Sequence, residues 1–278
     1  MKIRNSILAA AAFLTVACST PNKDLVKFSV NRPVRQIEQI SGFCQYDYVA
    51  LFNEKGQADE ILFFVGLDDS LATFDDHGKY IYKEKYEYDS RGRVSRKLTI
   101  SSDGETEGIH EYYYEGDRVS DCRFYGRNSN LIDEWQYSWK DGRLSTSYFN
   151  EGTLDYLSEK DNLGLNYDET VVGAFDNELI LSTSHVENFS EGKPTRIVGD
   201  EIDVTVEYDK DGLPVHAVNA IMTSFFEIYY NESLIDAPER WYTYEYDGYG
   251  NWIVRREYSD ADLAVQTDKL QRRIVYAD

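Results

Sequence analysis

Short runs of alternating apolar and polar residues dominate the chain, each broken by Gly, Asp or Asn. In Tyr86-Glu87-Tyr88-Asp89-Ser90-Arg91-Gly92-Arg93-Val94 two aromatics stand two apart, which puts both rings on one face of a strand. Asp, Ser and Gly then supply a turn, Asp by accepting from nearby backbone NH groups and Gly by taking a positive φ. Beyond the turn, Val94, Arg96, Leu98 and Ile100 fall on one face, with Ser95, Lys97 and Thr99 on the other. This is the pattern of a β-hairpin.

The pattern recurs at Tyr112-Tyr113-Tyr114-Glu115-Gly116-Asp117-Arg118-Val119-Ser120 and from Trp135 to Ser145. Its Arg-Val/Leu-Ser triplets start at 93, 118 and 143, a step of 25 residues, and Lys193-Pro194-Thr195 keeps the phase in a weaker form. Subsidiary turns are expected at Gly104, Gly126 and Gly152. One repeat is then two strands of about eight residues, each roughly 27 Å long. Turns with the same grammar but no phase occur at 52–56, 74–78, 208–212 and 246–250. In the last hairpin Tyr242, Tyr244 and Tyr246 line one face going in, and Trp252, Val254 and Tyr258 one face coming out. Residues 155 to 183 break the phase and are expected to hold a longer loop or a short helix; 231–240 reads as a loop with Pro238 as a stop signal. Two strands, 26–30 and 34–40, precede the first hairpin and are expected to cover a sheet edge.

Composition narrows the class. The 278 residues include 50 acids against 29 bases, a formal charge of −21 that disfavours nucleic acid and anionic surfaces as partners. Aromatics make up 14% of the chain, which excludes general disorder, and 23 of them are Tyr, whose ring packs while its hydroxyl stays hydrated. Three Cys and four His exclude a disulfide-dense scaffold and a zinc module.

The first residues read as a secretory address. Lys2 and Arg4 form a positive start, Ile7 to Val16 is an apolar run, and small Ala17 stands before Cys18. Leu14-Thr15-Val16-Ala17-Cys18 resembles a bacterial lipobox, although Thr15 stands where Leu is commonest. The resemblance implies a signal peptide over 1–17, acylation of Cys18 and a membrane partner held through that anchor, with Ser19 favouring the outer membrane. The other reading is an ordinary cleaved signal in which Cys18 is incidental. Residues 18–25 would be the lipidated cysteine and its polar tether, and 26–278 a single β domain. Which side of the outer membrane it faces is left open.

The Y-x-Y-D-x-x-G-R/N-hydrophobic pattern is similar to the YD repeat of Rhs-type proteins. The stretch from Tyr244 to Arg256, followed by Gln271 to Tyr276, resembles the end of Bacteroides-type YD-repeat lipoproteins. What the resemblance implies is architecture: an all-β antiparallel meander forming a twisted, curled sheet, open or partly closed like a barrel. The motif residues are turn and packing positions, so no functional residue carries over.

Candidate chemistry is sparse. Asp75-Asp76, Asp209-x-Asp211 and Asp200-Glu201-x-Asp203 lack the spaced loop of a calcium site and read as solvated turns. His77, His110, His185 and His216 are scattered singly, so no metal and no cofactor is expected. Cys44 and Cys122 read either as buried thiols or as a disulfide. The aromatics carry the functional expectation, because rings interspersed with acids can stack on sugars and bond their hydroxyls. Trp139, Trp241, Trp252, Tyr244 and Tyr246 are the candidate binding residues. The function expected is a binding or structural module of the cell envelope with a glycan or an envelope protein as partner. A glycan hydrolase and an assembly scaffold are the alternatives.

Overall fold

The computed structural model describes residues 30, 32–41, 46–65, 78–140, 143–161, 168–175, 178–190, 193–199, 203–222, 228–230 and 239–277. Cys18, Cys44, His77, Asp75-Asp76 and Asp141-Gly142 lie outside these. Among the described residues twenty strands follow one another: β1 (Val34–Ser41), β2 (Tyr46–Phe52), β3 (Ala58–Val65), β4 (Tyr82–Tyr88), β5 (Val94–Ser101), β6 (Thr106–Glu115), β7 (Arg118–Gly126), β8 (Leu131–Lys140), β9 (Arg143–Asn150) and β10 (Thr153–Asp161) form the first half. The second half is β11 (Asp168–Phe175), β12 (Glu178–Ser190), β13 (Lys193–Gly199), β14 (Asp203–Tyr208), β15 (Pro214–Val218), β16 (Ala220–Met222), β17 (Ile228–Tyr230), β18 (Glu239–Tyr246), β19 (Trp252–Tyr258) and β20 (Gln266–Tyr276). The expected all-β antiparallel meander is what the chain forms, and the phased triplets open β5, β7 and β9 at strand reversals.

Eighteen strands share one sheet, and β16 with β17 makes a separate two-stranded ribbon. Each strand from β1 to β14 pairs with its successor, β15 pairs with β18, and β18, β19 and β20 follow in order. β20 then pairs with β1 from Val34↔Tyr276 to Ser41↔Leu270. The hydrogen-bonded neighbours thus form an uninterrupted ring. β1 covers two edges at once, those of β2 and β20, which removes the free edges that would invite pairing with another chain.

The segment 155–183 departs from expectation. It holds most of β10, all of β11 and the start of β12, paired in register with β9 and β13. Local turn signals are weak there, but the open ladders of β9 and β13 on either side select the extended form, as tertiary pairing overrides local propensity. Residues 231–238 lie outside the described set, and Glu239 and Arg240 already belong to β18.

The turns explain why the repeat needs its residues. Asp89 Oδ1 accepts from the NH groups of Arg91 and Arg93 at 2.8 and 2.9 Å, and Asp247 Oδ1 from those of Tyr249 and Asn251, both at 2.9 Å. Asn53 and Asp209 cap their own turns in the same way. The fourth residue of such a turn has positive φ, 78° at Gly92 and 79° at Gly250, where a Cβ would be strained. Gly126, expected in a turn, instead ends β7, and Ser129 takes the left-handed position at φ 58°.

A β-bulge follows each of these turns. Tyr88 opposes Val94 while Glu87 opposes Arg96, and Tyr246 opposes Trp252 while Glu245 opposes Val254. One extra residue therefore reverses the facing of everything after it. Val94 does not share a face with Arg96, nor Trp252 with Val254, contrary to strict alternation. The bulge also frees a carbonyl, and a tyrosine from the next hairpin takes it. Tyr88 Oη donates to Ala58 O at 2.6 Å, Tyr114 Oη to Val94 O at 2.6 Å and Tyr244 Oη to Pro214 O at 2.8 Å. Each acceptor sits at the register shift just past a turn.

The sheet is a single layer, and no helix occurs among the described residues, so only the curled sheet itself can bury its inner face. Ile37, Ala50, Ile61, Tyr48 and Phe63 form the largest core with Val30, Val34, Phe52 and Ala58. Cys122, Trp135 and Tyr148 form a second core, and Leu213, Trp252 and Leu270 a third.

Replacing Tyr88 or Tyr114 by Phe is expected to cost about 1 kcal/mol, the net worth of one hydrogen bond. Tyr113→Phe, at an exposed position 39% accessible, should stay within about 0.5 kcal/mol. Urea unfolding of the three variants measures the difference.

Candidate functional site

The candidate aromatics divide between the two faces of the ring. Tyr244, Tyr246 and Trp252 come together on the inner face near one rim: Tyr244 lies 6.2 Å from Trp252 and 6.5 Å from Tyr246. Trp252 is 1% exposed, with Arg272 stacked 3.4 Å over its ring and donating to its carbonyl at 2.8 and 3.1 Å. Burial lowers the Arg272 guanidinium to about 9. Tyr244 is tied to Pro214, and Tyr246 remains open at 40% exposure beside Asp209. The backbone of Trp139 pairs with Leu144 near the end of β8.

Trp241 stands on the outer face. Its ring stacks on His216 with centroids 5.0 Å apart and planes 16° from parallel. The imidazole lies between two carboxylates, Glu239 at 2.8 Å from Nε2 and Glu207 at 3.4 Å from Nδ1, whose side chains are 51% and 65% exposed. Three strands, β14, β15 and β18, assemble this group, so the pairing of Trp241 with His216 was invisible in the linear chain. An aromatic plate edged by accessible carboxylates can stack against a sugar ring and accept its hydroxyl protons.

The inner face carries charge as well as rings. Glu84 binds Lys97 at 2.8 Å and accepts from Tyr86 Oη at 2.6 Å, and both members of the pair are largely buried, 12% and 14% exposed. His110 stacks on Phe124 at 4.7 Å and on Trp135 at 6.2 Å, and its Nδ1 has no hydrogen-bond partner. Burial pushes its imidazole down to about 3, helped by Lys97 and opposed by Glu84. Arg255 approaches Asp268 at 4.0 Å and the Tyr242 ring at 5.6 Å, and Arg240 binds Glu257 at 2.9 Å. Cys122 is a free buried thiol pushed up to about 12 by desolvation, so of the two cysteine readings it takes that of the thiol. Among the described residues no three acids, histidines or cysteines are grouped to hold a metal ion.

The outer face is laced with cross-strand ion pairs. Lys83–Glu60 joins β3 to β4, Arg96 joins Glu87 and Glu111 across β4, β5 and β6, and Arg123–Glu134 joins β7 to β8. Arg196–Asp203, Arg256–Glu245 and Arg273–Glu38 continue the series across β13–β14, β18–β19 and β20–β1.

No family model and no curated protein matches the chain. Among solved structures it is similar to a porin-like protein from Bacteroides uniformis, at 11% identity over 88% of this chain and 99% of that one, with a TM-score of 0.44. A porin-like protein from Bacteroides vulgatus is similar at 9% identity over 89% of this chain and 99% of that one, with a TM-score of 0.40. A Tc holotoxin pore chain of Photorhabdus luminescens matches 81% of this chain but 12% of its own length, at 10% identity and a TM-score of 0.23. Likenesses of this size establish neither family nor activity.

The unfolded chain takes up a proton at His110 near 6.5, whereas the folded one resists until about 3. The stability due to the neutral imidazole is therefore complete above pH 6.5 and is lost as pH falls toward 3. His110→Phe should make the acid-side loss of stability shallower, by up to about 1.4 kcal/mol per pH unit. Chemical denaturation from pH 7 to 4 measures it. Glu84→Gln, which strands Lys97 in the interior, should cost about 3 kcal/mol. Glu87→Gln, at a half-exposed pair, should cost under about 1 kcal/mol in the same assay.

Proposed function

We propose that this chain is a lipid-anchored cell-envelope protein whose β ring stands in water and serves as a binding or structural module. The observation that carries the reading is the ion-pair lattice on the outer face. A barrel spanning a bilayer turns an apolar belt outward, and a charge on that belt costs about 2–4 kcal/mol at the midplane. Here paired charges mark the outward side of seven strand pairs, so the ring is suited to water, and attachment to the outer membrane falls to acyl chains on Cys18.

The ligand class that fits the outer face is a glycan, received on Trp241 with Glu207 and Glu239 at its edge; an envelope protein is the other partner for such a surface. Against a hydrolase weighs the state of the inner carboxylates. Among the described inner carboxylates, Glu84, Glu257 and Asp268 each lie beside a cation, Lys97, Arg240 and Arg255 in turn, the arrangement of structural ion pairs.

Cys18→Ser should release the protein from membranes into a soluble, monodisperse form without detergent. Fractionation followed by size exclusion tests this, and a variant that stays with the membranes or needs detergent refutes the water-standing ring. On a glycan array the soluble form should bind, and Trp241→Ala should weaken that binding at least tenfold while leaving the melting temperature within a few degrees.

A further inference from the structure

The hairpins of the ring resemble one another closely enough to show where one of them departs. Six residues before the aspartate that caps a turn, the outer face carries Lys83, Asp203 and Trp241 in turn. Lys83 meets Glu60 of the preceding strand at 2.8 Å and Asp203 meets Arg196 at 2.9 Å, so two of these places hold an ion pair. The third holds the stack of Trp241 on His216. Neither the cap of this hairpin, Asp247, nor its hydroxyl latch, Tyr244, requires that exchange. It falls where the chain leaves the ring, because β15 pairs with β18 and the ribbon β16–β17 lies between them in sequence. Connections of that kind carry binding residues more often than the scaffold they interrupt.

Charge makes the departure specific. Acids elsewhere on the outer face are matched by lysine or arginine, as Glu60, Glu134 and Glu245 are. Glu207 and Glu239 share His216 instead, each through Oε1, and among the described residues neither is ion-paired to a lysine or an arginine. The ion pairs of the flanking strands, Arg196–Asp203 and Arg256–Glu245, are matched within themselves. Among aromatic rings an indole attracts a cation best, and here two carboxylates with more than half of their side chains exposed stand beside it. A neutral sugar hydroxyl leaves their charge uncompensated, whereas an ammonium group meets it. The formal charge of −21 on the chain draws cations toward the site as well.

We propose that the Trp241 plate selects sugars that carry positive charge: glycans with unacylated amino groups, whose ammonium meets the indole and the two carboxylates that His216 shares. This rests on the reading of that surface as a glycan site and narrows it from glycans in general to cationic ones. One half-buried indole with two carboxylates beside it is the footprint of one ring and one ammonium rather than of an extended basic segment.

The test titrates the full-length protein with two oligomers of equal length. One is glucosamine with its amines fixed as trimethylammonium; the other is N-acetylglucosamine, which carries no charge. The charged oligomer is expected to bind about tenfold more tightly, the joint effect of an exposed cation–π contact and two exposed ion pairs. Joint substitution of Glu207→Gln and Glu239→Gln should bring that preference below about twofold without shifting the melting temperature by more than a few degrees. Equal binding of the two oligomers overturns the selection for charge and leaves the glycan reading standing, whereas binding of neither overturns both. A preference that survives the double substitution is attraction to the net charge of the chain and overturns the site. Tetralysine that binds as tightly as the charged oligomer, and loses that binding with the same two substitutions, overturns the sugar class in favour of a basic peptide.

Discussion

A one-layer sheet has nothing to bury a face against except itself, and every other feature of this protein follows from how that constraint is met. β20 returns to β1 over a long register, so the curled ladder has no loose end among its eighteen strands. The inner face can then hold residues such as Ile37, Ala50 and Leu270, which are fully buried with no helix among the described residues to cover them. Burial of that kind contributes roughly 25 cal/mol per Å² of apolar surface, and here it depends on backbone closure for its existence.

The repeat supplies closure in small steps. The turns that begin at Asn53, Asp89, Asp209 and Asp247 are capped by those side chains and followed by a bulge, and after the first three a tyrosine hydroxyl from the next hairpin takes the carbonyl just past the turn, as Arg272 does at Trp252. Bulges increase local twist as well as shifting register, and they recur beside turns at both rims, so the meander coils along its whole length. Turn contacts reinforce this: Gln57 donates to Gly92 O at 2.9 Å, and Arg93 reaches Gly116 O at 2.5 Å. Tyrosine is thus enriched because it packs in the core and latches neighbouring hairpins, a reason that needs no ligand.

Charge is distributed by the same geometry. The inward-pointing Glu84 is matched by Lys97, because an unpaired ion in the interior would cost several kcal/mol. Outward ions form rows along the ladder, individually weak in water, and together they define a surface suited to solvent. What is left for recognition lies on that surface, where Trp241 stacks on His216 outside the core.

The amino-acid order by itself determined the hairpins. Tyr two apart, Asp and Gly at fixed offsets and a 25-residue step specify local turns through side-chain capping and backbone freedom, which need no distant contact. It also determined that the inner aromatics of β4, β6 and β18 share a face with their neighbours two residues away. Only the tertiary structure decided which face that was. A bulge of one residue inverts the alternation, so Lys97 lies inside and Leu98 outside although composition argues the reverse. Only the closed ladder brought Arg272 over Trp252, turning a candidate binding ring into core, and only three converging strands placed His216 between Glu207 and Glu239. Such contacts join residues 9 to 23 positions apart across separate strands, and no period in the chain encodes them.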